Sequence, residues 1–124
     1  QSAVLAQPIG RVGPMPAERS ARFEAWAASL KDHPEATPDV LDRFYRNLYE
    51  PGFVYCTDRA FAAAVKTPCL VLAGNDEAHP WAISEELSKL LPNSEFVAEW
   101  KTGVALEAAR TRVKQFLAKH TPRR

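Results

Sequence analysis

The period of the apolar positions changes along the chain, and each change marks a new element. "SAVLAQP" (residues 2–8) is a short apolar run stopped by Pro8, which predicts a buried strand. "IGRVGPMPAERS" follows with two glycines and two prolines and reads as an excursion from the sheet. Phe23, Trp26, Ala27 and Leu30 then fall at i, i+3, i+4 and i+7, the apolar stripe of a first helix. "KDHPEATP" ends that helix. Thr37 is placed to cap a second one, with Pro38 in its first turn and Val40, Leu41, Phe44, Tyr45 and Leu48 along one side. After "YEPGF", "VYC" reads as a short extended piece, and Thr57 or Asp58 can cap a third helix through "RAFAAAV".

From residue 67 the texture differs. Cys69 to Ala73 is an unbroken apolar run after Pro68, which suits a strand buried on both faces of a parallel sheet. Pro80 can open the next helix at its first position, with Ile83, Leu87, Leu90 and Leu91 turned inward. "LPNSE" is a turn and "EFVAEW" a further strand. A last helix carries Leu106, Ala109, Val113, Phe116 and Leu117 as its stripe, with His120 near the end that favours a cation. Strand, helix, strand, helix over residues 67–119 implies an α/β fold with a parallel sheet and right-handed crossovers.

Composition narrows the function classes. With 124 residues, 46% apolar and 25% charged, the chain is sized for one globular core. A net charge of +1 from interspersed acids and bases argues against a nucleic-acid surface. Arg123 and Arg124, after a proline, read as a frayed tail. No apolar run approaches the ~20 residues that cross a bilayer, so no membrane partner is expected. "QSAVLAQPIG" lacks the basic segment and apolar core of a signal peptide. It also lacks an initial Met and begins as a strand, so the chain is expected to be a piece of a longer protein. Cys56 and Cys69, without C-x-x-C spacing, are expected to be buried thiols in a reducing cytoplasm.

The candidate chemistry lies in "CLVLAGNDEAHP" (residues 69–80). Ligands of open α/β sheets bind beyond the carboxyl ends of the strands, where Asn75 to His79 would sit. An Asp there is either an active-site carboxylate or a cap for the following helix. Asp76, Glu77 and His79 have metal-ligand chemistry, but one short loop with no further cluster does not make a metal site. No metal and no cofactor are expected. His33, in the proline-rich turn, is expected to be exposed and without a role.

"TPCLVLAGNDEAHP", "ISEELSKLLPNSEFV" and "VKQFLAKHTP" together resemble the C-terminal portion of the α/β-hydrolase superfamily. The carriers are Thr67-Pro68, Leu70 to Gly74, Asp76, Pro80, Leu91-Pro92, Asn93 to Val97 and Phe116-Leu117, with residues 66–122 matching closely. The resemblance implies a partial parallel sheet of about three strands with flanking helices. It divides the chain into a sheet strand (1–10), a helical lid (11–66) and a strand-helix-strand-helix segment (67–124). Trp26, Tyr45, Tyr49, Phe53 and Tyr55 would then either roof a pocket for a small apolar substrate or simply pack the lid helices together.

That superfamily uses Ser, then Asp or Glu, then His in chain order, with the Ser in a G-x-S-x-G elbow. The acid position falls on Asp76, four residues before Pro80; Glu77 competes when counted from Gly74. None of the five glycines flanks a Ser in the elbow pattern, and "EWKTGVALE" stands where the usual His would follow the last strand. His79 is the one imidazole in the acidic loop, a candidate for the site or for a helix-start contact. The parent protein would hydrolyse an ester, amide or related bond, and this chain alone is expected to be inactive. A non-catalytic ligand-binding or assembly protein is the alternative. Strands "AVLAQP" and "CLVLAG" are expected to lack neighbours, giving a homo-oligomer or pairing with a missing N-terminal half.

Overall fold

A computed structural model describes residues 1–121, and the Arg123-Arg124 tail lies outside the described residues. The strands are β1 (Ala3–Ala6), β2 (Cys69–Leu72) and β3 (Ser94–Val97), and the helices are α1 (Ala17–Ser29), α2 (Pro38–Tyr49), α3 (Arg59–Ala64), α4 (Trp81–Leu90) and α5 (Gly103–His120). The sheet is parallel throughout, in the order β1-β2-β3, with Ala3 opposite Cys69 and Cys69 opposite Ser94. This is an α/β fold of three strands with flanking helices, as the sequence pattern implied.

β2 is apolar at every position because it is covered on both faces and both edges. Its residues alternate between two cores. Cys69 and Val71 pack with Phe53, Ala62, Ile83, Leu87 and Leu91, the face covered by α3 and α4. Leu70 and Leu72 pack with Phe116, Val113 and Trp100, the face covered by α5. The expectation that β2 would lack a neighbour is therefore corrected, since β1 and β3 satisfy both its edges. β1 departs from a buried strand as well. It is an edge strand, half-buried and exposed at Ala6, with one side paired to nothing among the described residues.

Local signals set the helix boundaries. The Thr37 side chain accepts the Val40 N–H at 3.4 Å with Pro38 in the first turn, and the Asp58 carboxylate accepts the Phe61 N–H at 2.7 Å. Pro80 precedes α4 as its cap residue, one position earlier than expected, and β3 ends at Val97 rather than Trp100. On α5 the inward stripe stops at Phe116; Leu117, the next residue and about 100° further round the helix, is exposed.

α1 and α2 contain no buried residue. They meet through aromatic rings: Phe23 lies 4.9 Å from Tyr45 and 5.4 Å from Trp26, and Tyr49 lies 4.9 Å from Tyr45 and 5.0 Å from Tyr55. Phe53 does not belong to this cluster; it is 1% exposed in the main core, with the Arg59 guanidinium 4.8 Å above its ring. Cys69 is buried as expected, but Cys56 is exposed; it takes the left-handed backbone (φ 60°) in the turn after Val54.

One antiparallel bridge, Gly10 to Val54, ties the segment after β1 to the segment after α2. A Cβ at Gly10 would lie 2.5 Å from the Phe53 carbonyl oxygen, so only glycine permits this approach. The Gly10 N–H also donates to the Ala78 carbonyl at 3.1 Å, which anchors the acidic turn beyond β2.

Candidate functional site

Chain leaving β2 turns sharply at Gly74 and curls back on itself through Pro80. A Cβ on Gly74 would fall 2.1 Å from the His79 carbonyl oxygen and 2.6 Å from His79 Cβ, so the turn closes only over a bare backbone. Beneath it the fully buried Ser84 Oγ accepts the Gly74 N–H at 3.0 Å. Asp76 N–H donates to His79 O at 3.4 Å, and His79 N–H approaches Asp76 O at 3.2 Å.

Asp76 Oδ1 is the hub of this turn. It accepts the backbone N–H groups of Ala78 at 3.0 Å and His79 at 2.9 Å, and it lies 2.7 Å from His79 Nδ1. The ring hydrogen bond from His79 does most to hold the Asp76 carboxyl below its usual range; partial desolvation opposes it, and the two backbone N–H groups assist. An ionised carboxylate only accepts, so Nδ1 carries a proton, and Nε2 offers a lone pair whenever the ring is neutral. The pair stays open, with His79 31% and Asp76 49% exposed at the side chain. Glu77 makes no such contact; it lines the adjoining cleft.

The loop after β3 reaches the same edge. Trp100 Nε1 donates to the Ala73 carbonyl at 2.8 Å, and Lys101 Nζ donates to Asn75 Oδ1. Lys101, left without an explanation by sequence reasoning, thus braces the acidic turn from the position where the resemblance would place an imidazole.

Between the turn and the segment entering α1 lies a cleft of about 610 Å³ lined by Arg11, Val12, Pro16, Arg19, Asp76 and Trp81, among others. Arg11 donates to the carbonyls of Gly13 and Tyr49 (the latter at 2.9 Å), and Arg19 donates to the Tyr55 hydroxyl. Burial, with Tyr55 adding to it, pushes the Tyr49 phenol up. Tyr45, Tyr49 and Tyr55 pack in series, Trp26 packs on Phe23 and Phe44, and none of the four lines the cleft, whose apolar walls are Val12, Pro16, Pro80 and Trp81. Sequence reasoning missed Arg11 and Arg19, whose places depend on contacts between distant residues (Gly10 with Val54, Arg19 with Tyr55), and Trp81, which opens α4 directly after the acidic turn. His33 sits elsewhere, exposed and 3.8 Å from Glu35. Among the described residues no group of three or more His, Cys, Asp or Glu could hold a metal ion.

No protein-family profile matches the chain, and no curated protein matches it. Solved structures do. An alpha/beta hydrolase from Sphaerobacter thermophilus DSM 20745 is similar over 94% of this chain, with a TM-score of 0.53 and 19% identity. Rv0554 from Mycobacterium tuberculosis is similar over 98% of it, with a TM-score of 0.52 and 18% identity. The fold is that of an α/β-hydrolase in part, as the sequence resemblance implied, and the chain spans 58% of the length of each of these neighbours. No helix among the described residues is long and apolar enough to cross a membrane.

Proposed function

We propose that this chain is the C-terminal part of an α/β-hydrolase-like protein, in which it supplies the acid Asp76, the imidazole His79, a helical lid and one wall of the substrate cleft. The observation that carries this reading is the 2.7 Å contact between Asp76 Oδ1 and His79 Nδ1 at the carboxyl end of the central strand. In such a pair the carboxylate fixes the tautomer, and Nε2 takes the proton of a nucleophilic hydroxyl as it attacks a carbonyl. The proton then passes to the leaving oxygen or nitrogen, and water repeats the sequence to release the acid. The nucleophilic Ser would come from an N-terminal half, so the chain alone does not catalyse. The exposed thiol of Cys56 and the unpaired Cys69 support a reducing, cytoplasmic setting.

A non-catalytic ligand-binding or assembly protein is the second reading. It is favoured by Lys101, which engages Asn75 where a hydrolase of this fold would hold its base.

Intact-mass analysis of the native product, followed by an ester-hydrolysis assay on it, tests the first reading. A product roughly twice this length that hydrolyses p-nitrophenyl acetate, and loses roughly 10²–10⁴-fold in Asp76→Asn and His79→Gln, supports it. A native product of 124 residues, or full activity in both variants, overturns it.

A further inference from the structure

Among the described residues the arginines differ in their partners, and Arg43, exposed on α2, has no carboxylate within 4.0 Å. Arg22, Arg46, Arg59, Arg110 and Arg112 each lie within 4.0 Å of a carboxylate. Arg11 and Arg19, which face the cleft, have no carboxylate at that distance among the described residues. Their hydrogen bonds go to neutral oxygens, the carbonyls of Gly13 and Tyr49 and the Tyr55 hydroxyl. Such contacts hold a guanidinium in place without neutralising it. Arg11 Nε is moreover buried without a partner. Arg19 spends Nη1 on Tyr55, and its carbon lies 5.8 Å from the Tyr55 ring centroid, which leaves the Nε–Nη2 edge for a planar, two-oxygen anion.

The opposite side of the cleft carries Asp76 and Glu77, with Asp76 committed to His79 and to backbone N–H groups. An anion entering the cleft is attracted at the arginine side and repelled at the acidic side. Val12 and Trp81, 65% and 43% exposed, offer apolar contact between the two.

We propose that the cleft binds a carboxylate-bearing ester, a half-ester of a small dicarboxylic acid, with its free carboxylate on Arg19 beside Arg11 and its carbon chain against Val12 and Trp81. This rests on the hydrolase reading for the fate of the ester group, but the recognition itself does not. Its polarity would direct the ester carbonyl toward Asp76, the member of the Asp76–His79 pair that lines the cleft.

The test is calorimetric or NMR titration of the protein at its natural length, carrying His79→Gln to prevent turnover, with monomethyl succinate and with its neutral analogue dimethyl succinate. Monomethyl succinate is expected to bind at least roughly tenfold tighter, about 1.4 kcal/mol, and the preference to weaken in high salt. Arg19→Gln should abolish the preference, Arg19→Lys should keep part of it, and Arg43→Gln, on the exposed face of α2, should leave it intact. Equal affinity for the two esters, binding of neither, or a preference that survives Arg19→Gln in a folded variant overturns the proposal. Binding without hydrolysis in the His79 protein would overturn the catalytic reading and leave this one standing.

Discussion

His79 Nδ1 lies 2.7 Å from Asp76 Oδ1, and the same oxygen accepts the backbone N–H groups of Ala78 and His79. Asp76 is thus worth more ionised in the folded chain than in the unfolded one, and the His79 ring is the main cause. A folded-state value below the ordinary Asp value of about 3.9 means the contribution is fully present above that pH. It is lost as pH falls through the lower folded value. Asp76→Asn should therefore lower the melting temperature at neutral pH, and the gap to the parent should narrow only below about pH 4. Parallel melting curves across that range, with a constant gap, would show that the carboxylate charge does not hold the turn.

Gly74 sets whether this turn can form. A Cβ there meets His79 backbone at 2.1 Å, and backbone cannot rotate away as a flexible side chain would. Gly74→Ala should destabilise the chain by about 1–3 kcal/mol, the range for overpacking a closed site. Urea unfolding measures the loss. The amide shifts of residues 75–80 should also move, since the substitution pushes the acidic turn off the end of β2. An unchanged midpoint would mean that the turn is looser than its contacts imply.

Ser84 is the polar exception in a buried apolar wall. Its Oγ takes the N–H of Gly74 at 3.0 Å, so Ser84→Ala removes an acceptor and strands a buried donor. The expected cost is about 1–3 kcal/mol, and Ser84→Thr, which keeps the hydroxyl, tests whether shape or hydrogen bonding dominates. Faster hydrogen exchange at the Gly74 amide in the Ala variant is the specific signature, and unaltered exchange would remove the assignment.

The order of elements was readable because each rests on local chemistry: the Thr37-Pro38 start of α2, the Asp58 cap of α3, and the unbroken apolar run of β2. Asp76 was placed at the strand end for the same reason. What stayed hidden depends on contacts between distant residues. An apolar stripe does not say what it will meet, so the stripes of α1 and α2 turned out to face each other and leave Trp26 and Phe44 about half exposed. Arg11 follows Gly10, which is tied both to Val54 and to the Ala78 carbonyl of the acidic turn, and Arg19 is held by Tyr55; no local pattern announces these contacts. The His79 ring contact needs the close approach at Gly74, and a sequence spacing of three does not distinguish it from an ordinary helix-start contact.

β1 carries the last prediction. Its Ala3 N–H donates to Pro68 O and the Gln7 N–H just beyond it to Leu72 O, so these alternate positions face β2. By the alternation of a strand, the N–H groups of Val4 and Ala6 point to the free side. Nothing in Ala3-Val4-Leu5-Ala6 guards that side: the strand has no Lys, no Pro and no bulge, the usual devices against edge pairing. Beside it an apolar hollow of about 660 Å³ runs from β1 to α3, with Phe61 64% exposed at its rim. An edge of this kind pairs either with a preceding half of the protein or, when the 124-residue chain is alone, with another copy. The chain alone should therefore self-associate with increasing concentration in light scattering. Ala6→Pro removes one outward donor at an exposed edge position and should shift the chain toward monomer while circular dichroism stays unchanged. A parent chain that stays monomeric at high concentration would show that the edge needs no partner, and would count against both the oligomer and the missing-half reading.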